Sequence, residues 1–166
     1  MPIAIVVTAV TVGRRPLAGA IVDASVAVKW VMAEAHAEAA LRLLESGIGL
    51  TAPAHWLGEA VNAIWAACRR GDLVEQEAHE RAATLAEAPI AVVPLDRLVS
   101  AAMTLALRLG ITVYDALYLA LAEQQGALLV TDDRRLLTAA HHDRQLRDRV
   151  IWIGDDTAMN LGRGSR

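Results

Sequence analysis

Ala20-Ile21-Val22-Asp23-Ala24-Ser25 decides how the rest of the chain is read: a short, wholly apolar strand that ends on a carboxylate. Strands with one wet face alternate apolar and polar residues, whereas strands buried on both faces are apolar throughout. The second form recurs at Ile48 to Ala52, Ile90 to Val93, Ala127 to Val130 and Val150 to Ile153. Helical spacing fills the gaps. One helical stretch follows Asp23 through Leu44 and stops at Gly47. Another is opened by Pro53, repeats Leu57, Val61, Ile64 and Cys68, and closes at Arg69-Arg70-Gly71. Further helices are expected over Val74 to Glu87, Leu95 to Leu109, Tyr114 to Gln125 and Arg134 to Ala140. Strands alternating with helices in this way form a parallel sheet covered by helices on both faces. The expectation is one α/β domain with a central parallel sheet of about five strands. Its functional crevice should lie outside the carboxyl ends of the strands.

Length and composition agree. A chain of 166 residues with 55% hydrophobic and 21% charged residues fits a single folded domain and argues against disorder. The lone Cys68 excludes an internal disulfide and any paired-cysteine metal or redox site, which fits a reducing cytoplasm. With 16 Lys+Arg against 19 Asp+Glu, the net charge of −3 excludes a broadly basic coat. No apolar run approaches the roughly 18–20 residues of a membrane span, so a soluble, cytoplasmic protein with no membrane partner is expected. Residues 1–19 read as an extra edge strand or, preferably, an extension from an upstream start. Residues 155–166 read as a loose tail, which leaves the domain itself at 20–154.

Several chemistries find no support. There is no phosphate-binding P-loop, dinucleotide glycine signature, HExxH zinc motif or nucleophile elbow. The histidines His36, His55, His79, His141 and His142 lack metal-ligand spacing, and the His141-His142 pair reads as surface.

Four acidic positions stand apart by their neighbours. Asp23 ends a strand, and Glu59 sits in the first turns of an otherwise apolar helix. Asp115 opens a helix with almost no other charge, and the Asp132-Asp133 pair follows the buried strand Leu128 to Thr131. Each has an architectural explanation. Asp23 can bond a strand-to-helix turn, and Glu59 gains from a helix N-terminus. Asp115 with Thr112 forms a capping box, and Asp132 or Asp133 can be an N-cap. Taken together they predict something more, because a doubly wound sheet gathers the ends of neighbouring strands. Converging carboxylates repel one another and raise their own pKa values unless a cation neutralises them. Mg2+ or Mn2+, which prefer oxygen ligands and pair with phosphates, resolves that conflict.

Four stretches then resemble the PIN domain, and within it the VapC-type toxin ribonucleases of toxin–antitoxin pairs. They are Ile21 to Ser25, Glu59 to Asn62, Tyr114 to Ala122 and Thr131 to Leu136, together spanning roughly residues 20–154. The resemblance implies a metal-dependent endoribonuclease with Asp23 and Asp115 as principal ligands and Glu59 and Asp133 completing the site. It selects Asp133 over Asp132, although either could reach the site, and gives Ser25 and Thr131 the accessory hydroxyl positions. It also implies an RNA substrate, a cognate antitoxin and a homodimer, with the antitoxin in a groove near the site and an Arg presented to the acids. Arg134, Arg135, Arg144, Arg147 and Arg149 are candidate phosphate contacts, or equally a solvated face paired with Asp143 and Asp148. Trp56, Trp65 and Tyr114 read as core or interface residues rather than base-stacking platforms. Two other classes compete: a strand-end-Asp phosphatase, disfavoured by Ser25 two residues after Asp23, and a catalytically silent binding module.

Overall fold

The computed structural model describes residues 10–12, 15–17, 19–155 and 161. Within them, β1 (Val10–Val12) and β2 (Arg15–Leu17) form an antiparallel pair of their own and do not join the main sheet. Of the rest of the expected extension, Gly19 is described and the other residues lie outside the described ones. Of the expected tail, only Asp155 and Leu161 are described. Leu161 is buried at 2% exposure, so at that residue the tail is packed rather than loose.

The main sheet has five parallel strands in the order β5-β4-β3-β6-β7. They are β3 (Ala20–Val22), β4 (Leu50–Pro53), β5 (Ile90–Val93), β6 (Leu128–Thr131) and β7 (Val150–Trp152). The chain lays down β3, β4 and β5 in one direction, crosses back, and adds β6 and β7 on the other side of β3. The order therefore reverses between β3 and β6, and a crevice opens at their carboxyl ends. Right-handed crossovers place α1 (Ala24–Ala27), α2 (Ala37–Glu45), α3 (Trp56–Arg70) and α4 (Glu75–Ala86) on one face. The same rule sends α5 (Val99–Leu109), α6 (Val113–Gln125) and α7 (Arg134–His142) to the other.

Each central element forms for a local reason. The central strands β3 and β6 are buried along their whole length, as their unbroken apolar runs require. Helix α3 buries Trp56, Ala60, Ile64 and Ala67 along one face, and Gly71 ends it in the left-handed region at φ 85°. Helix α6 is buried from Ala116 to Ala122, which explains its lack of charge. Among the described residues no single helix is long and apolar enough to cross a membrane.

Four expectations need correction. The helix expected from Asp23 through Leu44 is interrupted: α1 passes into a 3-10 turn, Val28–Trp30, and α2 begins only at Ala37. Side-chain contacts within the segment hold the break. Buried Lys29 reaches Glu34 at 3.2 Å, Trp30 Nε1 donates to the Ala40 carbonyl at 2.9 Å, and His36 takes up φ 65°. Pro53 does not open a helix; it ends β4 opposite Val93, and α3 starts at Trp56. The helix expected from Leu95 begins with a 3-10 turn, Leu95–Arg97, before α5. Edge strand β5 is apolar but not covered on both faces, with Ala91 and Val92 exposed.

Candidate active site

The end of β3 delivers Asp23 in extended conformation, where it is the N-cap of α1 and accepts from the Ser25 backbone N–H at 3.3 Å. Its Oδ2 also accepts from the Ser25 hydroxyl at 2.8 Å and from the Thr131 hydroxyl. These hydroxyls are acceptors in turn. The Asp132 N–H donates to Ser25 Oγ at 3.0 Å, and the Asp133 N–H donates to Thr131 Oγ1 at 2.9 Å. Two hydroxyl relays thus tie the corner after β3 to the corner after β6.

Helices bring the other acids. Glu59, in the first turn of α3, accepts a 2.7 Å hydrogen bond on Oε2 from the Tyr118 hydroxyl. His55 Nε2 stands 3.2 Å from the same oxygen. Asp115 and Thr112 cap α6 reciprocally: the Asp115 N–H donates to Thr112 Oγ1 at 3.1 Å, and the Thr112 hydroxyl returns a 2.7 Å bond to Oδ2. Asp133 is the N-cap of α7, accepting from the Arg135 and Leu136 N–H groups at 2.7 and 3.2 Å.

Asp23, Glu59, Asp115 and Asp133, with Ser25, line one cavity of about 210 Å³. No Lys, Arg or His stands among its lining residues. Asp132 points elsewhere: its carboxylate meets Lys29 Nζ at 3.0 Å, His36 Nδ1 at 3.1 Å and the Trp152 indole N–H at 2.7 Å. The two neighbouring acids thus part in position, with Asp133 at the cavity and Asp132 in a cluster behind it. Tyr118, His55 and Lys29 do not stand out in the sequence. The available signals were spacings: Tyr118 one turn after Asp115, and His55 one turn before Glu59.

Electrostatics record the crowding. Burial, helped by the Glu59 charge, pushes Asp23 up to about 6 against the pull of the Thr131 and Ser25 hydrogen bonds. Burial also raises Asp115, as do the charges of Asp133 and Glu59, with Thr112 opposing. Burial pushes Glu59 upward too, but His55 and Tyr118 outweigh it and hold Glu59 below the usual range. These directions fit a hard divalent cation, because the donors are all oxygen and two of the acids are ill at ease without positive charge. Among the described residues, no three His, Cys, Asp or Glu side chains are already drawn together as a closed ligand set.

The raised Asp23 pKa carries a consequence for stability. The native state takes up this proton at a higher pH than the unfolded chain, whose value is near 3.8. The Asp23 contribution is therefore full below about pH 4 and is lost as the pH rises to about 6, at a rate of roughly 1.4 kcal/mol for each step of one pH unit between them. Thermal melts in EDTA across that window check it: the wild type should lose melting temperature relative to Asp23→Asn as the pH increases.

Trp56 is core, as expected, but Trp65 and Tyr114 are exposed, at 58% and 60%. Arg134 and Arg135 are exposed beside Asp133, and Arg134 lies 3.4 Å over the Trp152 ring. Asp143 does not pair with the late arginines; it binds Arg108 at 3.1 Å. His141 and His142 are exposed, as the surface reading holds. A larger groove of about 400 Å³ between α3 and α4, lined by Trp65, Cys68 and His79 among others, holds none of the four acids.

The fold has known relatives. The PIN domain family model matches residues 20–142. Ribonuclease VapC3 of Pyrobaculum aerophilum is 36% identical over 118 residues, covering 70% of this chain and 90% of the relative. The crystal structure of PAE2754 from the same organism superposes with a TM-score of 0.64 at 24% identity, over 88% of this chain and 90% of that one. The VapC20 toxin of Mycobacterium tuberculosis, a sarcin–ricin loop cleaving toxin, gives 0.58 at 21% identity, over 73% and 95%. At those identities the two structures speak for the fold alone. The family match spans most of the five-stranded domain, and the chain belongs to the PIN domain family, among its VapC-type members.

Proposed function

We propose that the protein is a Mg2+- or Mn2+-dependent endoribonuclease, the toxin of a toxin–antitoxin pair, hydrolysing RNA phosphodiester bonds. The observation that carries this reading is the convergence of Asp23, Glu59, Asp115 and Asp133, from four separate segments, on one cavity at the strand-order reversal. The names of VapC3 and VapC20 point the same way.

Asp23 and Asp115 would hold the cation, with Glu59 and Asp133 completing the site. When bound, the cation supplies Lewis-acid charge that makes a water acidic enough to attack at neutral pH. The remaining work falls to the protein. Ser25 and Thr131 fix the Asp23 carboxylate, so no reorganisation is needed once charge develops. His55 and Tyr118 keep Glu59 ionised despite its partial burial. The Thr112 hydroxyl on Asp115 and the helix cap made by Asp133 leave these two carboxylates little freedom to drift. Exposed Arg134 and Arg135, which follow Asp133 in the chain, would meet the phosphates of a strand approaching the cavity. A homodimer, a cytoplasmic location and an antitoxin bound near the acids, with an Arg directed at them, complete the proposal.

Cleavage of a circular single-stranded RNA tests it, because a circle offers no ends to an exonuclease. The circle should be opened with Mn2+ or Mg2+ and stay intact with EDTA. Binding without cutting under any divalent condition would return the protein to the catalytically silent module.

A further inference from the structure

Three of the acid-bearing segments meet at one buried hydroxyl. Tyr118 follows Asp115 by one turn of α6 and is only 1% exposed. Its hydroxyl accepts from the Ala24 N–H at 3.3 Å and donates to Glu59 Oε2 at 2.7 Å. Ala24 is the residue after Asp23, and Glu59 sits on α3, so a single side chain of α6 touches both neighbouring segments. The His55 ring packs on the Tyr118 ring with centres 4.9 Å apart and stands 3.2 Å from the same Oε2. Oε2 is therefore engaged from two sides. A carboxylate held in this way cannot rotate about its terminal bond without giving up the Tyr118 bond, and its second oxygen, Oε1, is left available. Phe would fill the same space without a buried hydroxyl that demands partners, so the hydroxyl calls for a role beyond packing.

We propose that Tyr118 is a positioning residue: it holds Glu59 by Oε2 so that Oε1 alone is presented to the cation, and it ties the placement of Glu59 to that of Asp23. The proposal rests on the metal-dependent reading of the cavity and goes further, to one oxygen and one side chain outside the cavity lining.

The test is a double-mutant cycle on the full chain with Tyr118→Phe, Glu59→Gln and both together. It reads Mn2+ affinity by calorimetry, and kcat and KM on RNA. Tyr118→Phe should weaken Mn2+ binding and lower kcat, each by about tenfold, with KM within about twofold. In the Glu59→Gln background it should change neither, because the group it acts through is gone. His55→Leu, which removes the other contact to Oε2, should weaken Mn2+ binding in the same direction and stands in if Tyr118→Phe does not fold. Effects that multiply in the double variant would overturn the proposal. So would a Tyr118→Phe protein that melts earlier yet keeps Mn2+ affinity and kcat within about twofold, or a wild type that binds no Mn2+. A wild type that binds Mn2+ but cuts no RNA would remove the ribonuclease reading alone, and the Mn2+ cycle would still decide the role of Tyr118.

Discussion

Asp23→Asn is expected to lower RNA cleavage by about a thousandfold while leaving the protein folded. The size follows from what Asp23 does. It is the most buried of the four acids, at 7% exposure, and burial raises it more than the Thr131 and Ser25 bonds lower it. A site that keeps such a carboxylate needs its negative charge for a cation, and removing one centre of preorganised electrostatic stabilisation costs about 10²–10³ in rate. Asn keeps the shape and can still accept from the Ser25 backbone, so the N-cap of α1 survives. Loss of activity should then accompany unchanged or higher stability near pH 7 in EDTA, because the neutral side chain escapes the desolvation penalty. Initial rates on a labelled RNA and melts on the same preparation report both. A variant that is inactive because it is unfolded would not meet this expectation.

Lys29→Met should cost about 3 kcal/mol of stability, a large effect for a residue outside the cavity. Lys29 is 6% exposed and bridges Asp132 at 3.0 Å and Glu34 at 3.2 Å. Removing its charge strands Asp132, which is itself mostly buried, with only the Trp152 indole N–H and the His36 ring beside it. Glu34 is exposed enough to recover water, so most of the penalty falls on Asp132. The Asp132 N–H also donates to Ser25 Oγ, so disturbance of this corner should reach Asp23 and lower activity modestly as well. Denaturant unfolding of wild type, Lys29→Met and Lys29→Met with Asp132→Asn separates the terms. The second substitution should recover much of the loss, because an amide is far cheaper to bury than an unpaired carboxylate.

Ala20 to Val22 and Leu128 to Thr131 were legible as buried strands because a residue covered on both faces leaves little choice of side chain. Asp23, Glu59, Asp115 and the Asp132-Asp133 pair were legible for the converse reason, as charges in places where burial makes charge expensive. The architectural and the chemical explanations do not compete. Asp23, Asp115 and Asp133 each take part in a helix cap and each line the cavity.

What the sequence hid lay in side-chain and strand contacts that no local propensity signals. No Gly or Pro marks the break between α1 and α2; it is set by Lys29 and Trp30 reaching forward to Glu34 and Ala40. Pro53 looks like a helix opener on propensity, yet strand pairing with Val93 claims it first. Asp132 and Asp133 are equivalent in type; the family resemblance favours Asp133, and what draws Asp132 aside is its contacts with Lys29, His36 and Trp152. Tyr118 reads as one more apolar residue of a buried helix until α3 and the corner after β3 are folded against it.

The central claim is that four carboxylates form a single cation site which cuts RNA. Parallel titrations of Mn2+ binding and RNA cleavage in wild type, Asp23→Asn and Asp115→Asn test it most directly. Saturable Mn2+ binding with cleavage in the wild type, and loss of both together in each variant, is the predicted result. Undiminished, EDTA-resistant cleavage by both variants would contradict it.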